Sequence, residues 1–159
     1  EKVCINTAIY DNFELISEAS DYFGSQSIVA SIDVRKNWFG KYVCYSNSGT
    51  VKRSHDVVSF CNEIENQGCG EILLTNIDHE GKMIGFDIQL YNIVGKDLNV
   101  PLIANGGAGN LDHIKSVILD SPASAAAAGS FFTFHGRKKA VLITYPDKKE
   151  IGELFDNAM

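Results

Sequence analysis

Short apolar runs alternate along this chain with stretches whose apolar residues recur every three or four positions. The runs are Val3–Thr7, Ser27–Val34, Glu71–Asp78, Pro101–Asn105 and Ala123–Gly129. Each is short and bounded by turn-forming residues, so each is expected to be a strand. The periodic stretches predict helices near Asn12–Phe23, Asp56–Gln67, Asp87–Leu98 and Leu111–Asp120, with a last one near Lys148–Asp156. Asp11, Asn110 and Asp147 stand where a side-chain oxygen can accept from the free N–H groups of a helix start. Strand–helix alternation of this kind predicts βα units around a parallel sheet. One segment breaks the rhythm. Trp38–Thr50 is aromatic and turn-rich, and it predicts a hairpin between the second strand and the helix that begins near Asp56.

No low-complexity tract or Pro/Gly linker interrupts the pattern, so residues 1–159 are expected to form part of a single domain. About five βα units are too few to close an eight-stranded barrel, which takes roughly 250 residues. The pattern fits an open doubly wound sheet or the later part of a barrel. The first residue is Glu1, and a strand follows at once without cap or leader, which suggests missing N-terminal strands.

Composition narrows the function classes. Hydrophobic residues make up 45% and charged residues 21%, an ordinary globular mix. The net charge is −6, and the longest basic run is Arg137-Lys138-Lys139, which argues against nucleic-acid binding. No apolar stretch approaches the roughly 20 residues that cross a bilayer. Cys4, Cys44, Cys61 and Cys69 form no CxxC pair and no zinc-ligand spacing with the histidines, so reduced thiols in a cytoplasmic protein are expected. No cofactor is expected.

The candidate chemistry lies at strand ends. Asn105-Gly106-Gly107-Ala108-Gly109-Asn110 follows a strand and opens a helix. Glycines let a backbone approach a ligand closely, and free helix-start N–H groups favour an anion. A ligand-free tight turn would read the same way. The next unit runs through small residues, Ala123–Ala128, into Gly129 and Ser130, where small side chains leave room for a ligand or for close packing on a helix. Together the two loops match the phosphate site that barrels build after their last two strands. Gly81, in the loop Thr75–Lys82, is placed to add N–H groups to that site, and Lys82 to add charge. Asp78, His79 and Glu80 are adjacent in sequence and rarely converge on one ion, so no metal is expected. Alternation puts Val29, Ser31 and Asp33 on one strand face, opposite Ile28, Ala30 and Ile32. If the more apolar face meets helices, Asp33 points into the mouth, where a partly desolvated carboxylate can act as acid or base. A loop-capping aspartate is the alternative. Asn6 and Thr7 end the first strand in the equivalent place. His55, His113 and His135 carry no nucleophile motif and read as solvated or structural.

Taken in order, Lys2–Ala8, Ser31-Ile32-Asp33, Gly70–Thr75, Asn105–Gly109 and Ala127–Ser130 resemble the cyclase subunit of imidazole glycerol phosphate synthase over nearly the whole chain. The resemblance implies the C-terminal portion of a (β/α)₈ TIM barrel of the ribulose-phosphate-binding type. It implies a lyase-type cyclisation in histidine biosynthesis. Ammonia from a partner glutaminase subunit passes through the barrel and attacks a phosphoribulosyl aminoimidazole-carboxamide nucleotide. Asp33 falls on the acid/base aspartate; Gly81, Gly106, Gly107, Gly129 and Ser130 on one phosphate cradle; Asn6 and Thr75 on polar positions lining the site. A second catalytic aspartate belongs to strands this chain lacks, so the chain alone is expected to be an incomplete catalyst. Where cyclases often carry Asp-Gly-Thr, this chain has Glu80-Gly81-Lys82. The stretch Phe131–Pro146 is similar to a paralogous branch in surface-polysaccharide pathways, whose barrels deliver ammonia to an N-acetyl-sugar amidotransferase. A bare half-barrel with open strand edges would tend to self-associate.

Overall fold

The computed structural model describes residues 1–136 and 139–156. Its elements are β1 (Val3–Ile5), α1 (Ala8–Asp11), α2 (Leu15–Phe23), β2 (Ile28–Lys36), β3 (Tyr42–Ser46), β4 (Val51–Asp56), α3 (Val57–Asn66), β5 (Glu71–Asn76), α4 (Ile88–Val94), β6 (Leu102–Asn105) and α5 (Leu111–Asp120). They continue with β7 (Ala125–Ala126), α6 (Ser130–Thr133), β8 (Phe134–His135), β9 (Ala140–Val141) and α7 (Lys148–Asp156). Strands β1, β2, β5, β6 and β7 pair in parallel in that order. A hairpin follows β2 as predicted but lies further on, because its second strand β4 begins at Val51, beyond the expected Trp38–Thr50; β3 pairs antiparallel to β2 and to β4. It shares an edge of β2 with β1, which pairs with Ile28–Ala30 while β3 pairs with Asp33–Lys36.

The placement of the helices decides between the two architectures left open by the pattern. Ile28, Ala30, Ile32 and Val34 of β2, Ile72 and Leu74 of β5, and Leu102 and Ala104 of β6 are buried in one hydrophobic cluster. Ile9 and Ile16, Phe60 and Ile64, Leu90, Tyr91 and Val94, and Val117 join the same cluster from the helices. Helices therefore cover one face of the sheet, the arrangement of a barrel wall. A doubly wound sheet would carry them on both faces. The fold is α/β, a mostly parallel sheet forming part of a βα-barrel. Buried aliphatic side chains of this kind each contribute about 1.5–3 kcal/mol of transfer free energy.

Local chemistry accounts for three of the helix starts. Asp56 Oδ1 accepts from the Ser59 N–H at 3.1 Å and caps α3. Asn110 accepts from the His113 N–H at 2.8 Å at the start of α5. Asp147 and Glu150 exchange backbone-to-side-chain bonds, both at 2.8 Å, as a capping box before α7. Asp56→Ala is expected to lower unfolding free energy by about 1 kcal/mol in urea denaturation; an unchanged midpoint would remove the cap from the account. Asp11 is a correction: it ends α1 instead of starting α2, and its carboxylate pairs with Arg53 at 3.3 Å. Asp87 does not cap α4, because its Oδ2 accepts from Tyr42 Oη at 2.8 Å and Asn76 Nδ2 at 2.9 Å. The last parallel strand is only Ala125–Ala126, shorter than the expected Ala123–Gly129. Arg137 and Lys138 of the basic run lie outside the described residues. Among the described residues no helix is long and apolar enough to cross a membrane.

Candidate active site

Asp33 lies on the sheet face opposite the helices, in the C-terminal half of β2. Its register neighbours are Tyr45 on β3 and Thr75 on β5, and Thr75 in turn lies beside Asn105 on β6. Three adjacent strands thus present Asp33, Thr75 and Asn105 in a row. Asn105 Nδ2 donates to Thr75 Oγ1 at 3.1 Å. Ser31, one pleat earlier, accepts from Asn6 Nδ2 at 3.1 Å, and Thr7 Oγ1 donates to Asn6 Oδ1 at 3.2 Å. Burial raises the Asp33 carboxyl above the ordinary aspartate range, and a hydrogen bond from Asn6 partly opposes that shift. Ser31, Asp33, Arg35, Thr75, Glu80 and Asn105 are among the residues around an open cavity of about 500 Å³. Asp33 thus lines the cavity on the face that strand alternation assigned to it.

A second, tighter cup adjoins it. Glu80, Gly81, Asn105, Gly106, Gly107, Ala108, Ala127, Ala128, Gly129 and Ser130 line it, so every glycine predicted for the phosphate cradle is present there together with Ser130. Gly81 and Ser130 face each other: a Cβ on Gly81 would lie 3.8 Å from Ser130 Oγ. Gly129 also lines the cup, with no heavy atom within 4 Å of a Cβ placed on it. Glu80 and Asn105 belong to both the cup and the Asp33 cavity, so the two share a wall. Lys82 is exposed and stands outside the cup lining.

Two cup glycines have a further duty. A Cβ on Gly106 would sit 2.5 Å from the Asn76 carbonyl oxygen, and one on Gly107 would sit 2.1 Å from the Gly85 carbonyl oxygen. Both have positive φ, +92° and +116°. The β6–α5 loop is therefore pressed against the β5–α4 loop, and Gly85 N–H donates to the Gly107 carbonyl at 2.8 Å. His79 belongs to the same junction, with Nδ1 2.8 Å from the Gly85 carbonyl oxygen. Asp78 pairs with Arg35 at 2.9 Å. Among the described residues no group of three or more His, Cys, Asp or Glu is placed to hold a metal ion. Burial also raises the Cys4 thiol, so it is a poor nucleophile beside Asp33.

Sequence reasoning passed over Asn105, Ser31 and Ser48 as site residues. Strand alternation counted back from Asp33 reaches Ser31, and the strand-end position of Thr75 has Asn105 as its counterpart. Ser48 reaches the cavity because the hairpin folds back over the mouth, and no local pattern signals that.

Residues 1–138 match the family model described as "Histidine biosynthesis protein". The chain belongs to this family. It is 42% identical over 151 residues to a Pseudomonas aeruginosa protein provisionally named imidazole glycerol phosphate synthase subunit HisF2, covering 95% of this chain and 60% of that protein. It is 44% identical over 131 residues to the imidazole glycerol phosphate synthase subunit HisF of Sulfurisphaera tokodaii, covering 82% and 52%. With the subunit HisF of Natranaerobius thermophilus it shares 40% identity over 151 residues, covering 95% and 60%. The chain spans at most about 60% of the length of each of these relatives.

Proposed function

We propose that this chain carries the later part of a cyclase-type barrel subunit that uses glutaminase-derived ammonia to make imidazole glycerol phosphate from a phosphoribulosyl aminoimidazole-carboxamide nucleotide. The observation that supports this most is the glycine-lined cup standing directly beside the Asp33 cavity, in a chain of the histidine biosynthesis family. A phosphate held by Gly81, Gly106, Gly107, Gly129 and Ser130 would direct the rest of the ligand past Glu80 and Asn105 toward Asp33. Asn6 and Thr75 would line that path. Asp33, raised by burial, would move a proton during ring closure and cleavage, work that suits a carboxyl whose pKa lies nearer neutrality. The partners in this reading are a glutaminase subunit and further strands that complete the barrel and its second phosphate grip.

The test supplies full-length protein with the phosphoribulosyl substrate and saturating ammonium salt, and follows imidazole glycerol phosphate. Product formation supports the cyclase; a folded, phosphate-binding protein without turnover supports the second reading. That reading is an ammonia-delivering partner of an N-acetyl-sugar amidotransferase, favoured by the stretch Phe131–Pro146 and by Glu80-Gly81-Lys82 in place of Asp-Gly-Thr. The cup has its own test. Gly129→Val adds a branched side chain to a cup residue where no heavy atom lies within 4 Å to clash with it, and is expected to weaken inorganic phosphate binding about tenfold with little change in melting temperature. Unchanged affinity in calorimetry would take this loop out of the site.

A further inference from the structure

His113 stands outside the cup, yet it touches two of the three loops that build it. It occupies the third position of α5, and its own N–H is taken by Asn110, which caps the helix. Its side chain reaches back past the cap. Nδ1 accepts from the Gly109 N–H at 3.1 Å, one residue beyond the cup residue Ala108. The ring lies over the β5–α4 loop, 3.7 Å from where Gly85 would carry a Cβ. Gly109 is wedged at that junction, since a Cβ on it would sit 2.3 Å from the Met83 carbonyl oxygen. Gly109 therefore has no room for a side chain where it meets the β5–α4 loop, and the imidazole satisfies its N–H.

Accepting at Nδ1 puts the proton of neutral His113 on Nε2. His79, on the other side of Gly85, needs the opposite tautomer: only an Nδ1–H can donate to the Gly85 carbonyl. Gly85 then donates its N–H to the Gly107 carbonyl at 2.8 Å. The two histidines hold one junction from opposite sides by opposite chemistry, one as donor and one as acceptor.

We propose that His113 is a positioning residue for phosphate binding: it orders the Gly106–Gly109 loop by accepting the Gly109 N–H while its ring braces the Gly85 turn. The inference rests on the reading of the cup as a phosphate site. It assigns His113 an effect on ligand affinity through the loop, without contact to the ligand. The bond reaches one residue further back than the third-position arm of a capping box, and glutamine, which carries an acceptor oxygen on a flexible stem, is the replacement that keeps an acceptor there.

The test measures inorganic phosphate binding by calorimetry on the full-length protein, with melting temperatures alongside. His113→Leu fills similar space without an acceptor and is expected to weaken phosphate about tenfold; His113→Gln is expected to restore affinity to within about threefold of wild type. A leucine variant that binds as wild type, or a glutamine variant no better than leucine, overturns the proposal. Amide exchange of Gly109 in the wild-type protein supplies a reading that needs no variant: protection supports the bond, and free exchange overturns it. If wild-type protein binds no phosphate, the cup reading fails and takes this inference with it, an outcome distinct from wild-type binding that ignores position 113.

Discussion

Asp33→Asn in the full-length protein should lower cyclisation turnover by about 100-fold or more while the protein stays folded. Asparagine keeps the shape of the side chain and an oxygen able to accept from Asn6, but it carries no proton that it can exchange at a useful pH. Retained folding follows from the direction of the Asp33 shift. Its carboxyl is raised in the folded protein by burial, so the ionised form weighs against folding above that pKa, and the penalty fades as pH falls through it. Asparagine lacks the penalty, so at neutral pH the variant should melt at or above the wild-type temperature. If Asp33 acts as a base, the acidic limb of kcat/KM should lie above the ordinary aspartate value near 4 and vanish in the variant. Wild-type turnover in Asp33→Asn would end the acid/base assignment.

Gly107→Val should damage fold and site together. The residue has φ of +116°, and the new Cβ would meet the Gly85 carbonyl at 2.1 Å and the Phe86 nitrogen at 3.2 Å. These are backbone atoms with no rotamer to give way. Strain and loop separation should lower unfolding free energy by about 2–4 kcal/mol, with phosphate binding lost as well. Urea denaturation and calorimetry on one preparation check both effects. Wild-type stability would mean that the two loops are not in contact as described. The contrast with Gly129 is physical: one glycine faces backbone and the other faces open space, although both line the cup.

Much of this arrangement was legible in the sequence because it depends on local rules. A period of two put Ile28, Ala30 and Ile32 on the helix side and Asp33 on the other, and membership of the hydrophobic cluster follows that division. Asn110 and Asp147 announced helix starts because capping uses residues a few positions apart. Other features depend on contacts distant in sequence. Asp11 looked like a cap, but Arg53, forty-two residues on, takes its carboxylate. The double role of Gly106 and Gly107 depends on where the β5–α4 loop lies, which their own neighbours do not state. His113 read as a bland helical residue because its partner Gly109 looked like part of a turn complete in itself.

The alternation along β2 also separates two kinds of heritable change. Ile28, Ala30, Ile32 and Val34 secure the wall, while Val29, Ser31, Asp33 and Arg35 face the cavity side. Substitutions at one set of positions leave the other set's surroundings largely intact. A lineage can thus rewrite what the mouth of the barrel does, one residue in two, while the wall behind it stays the same.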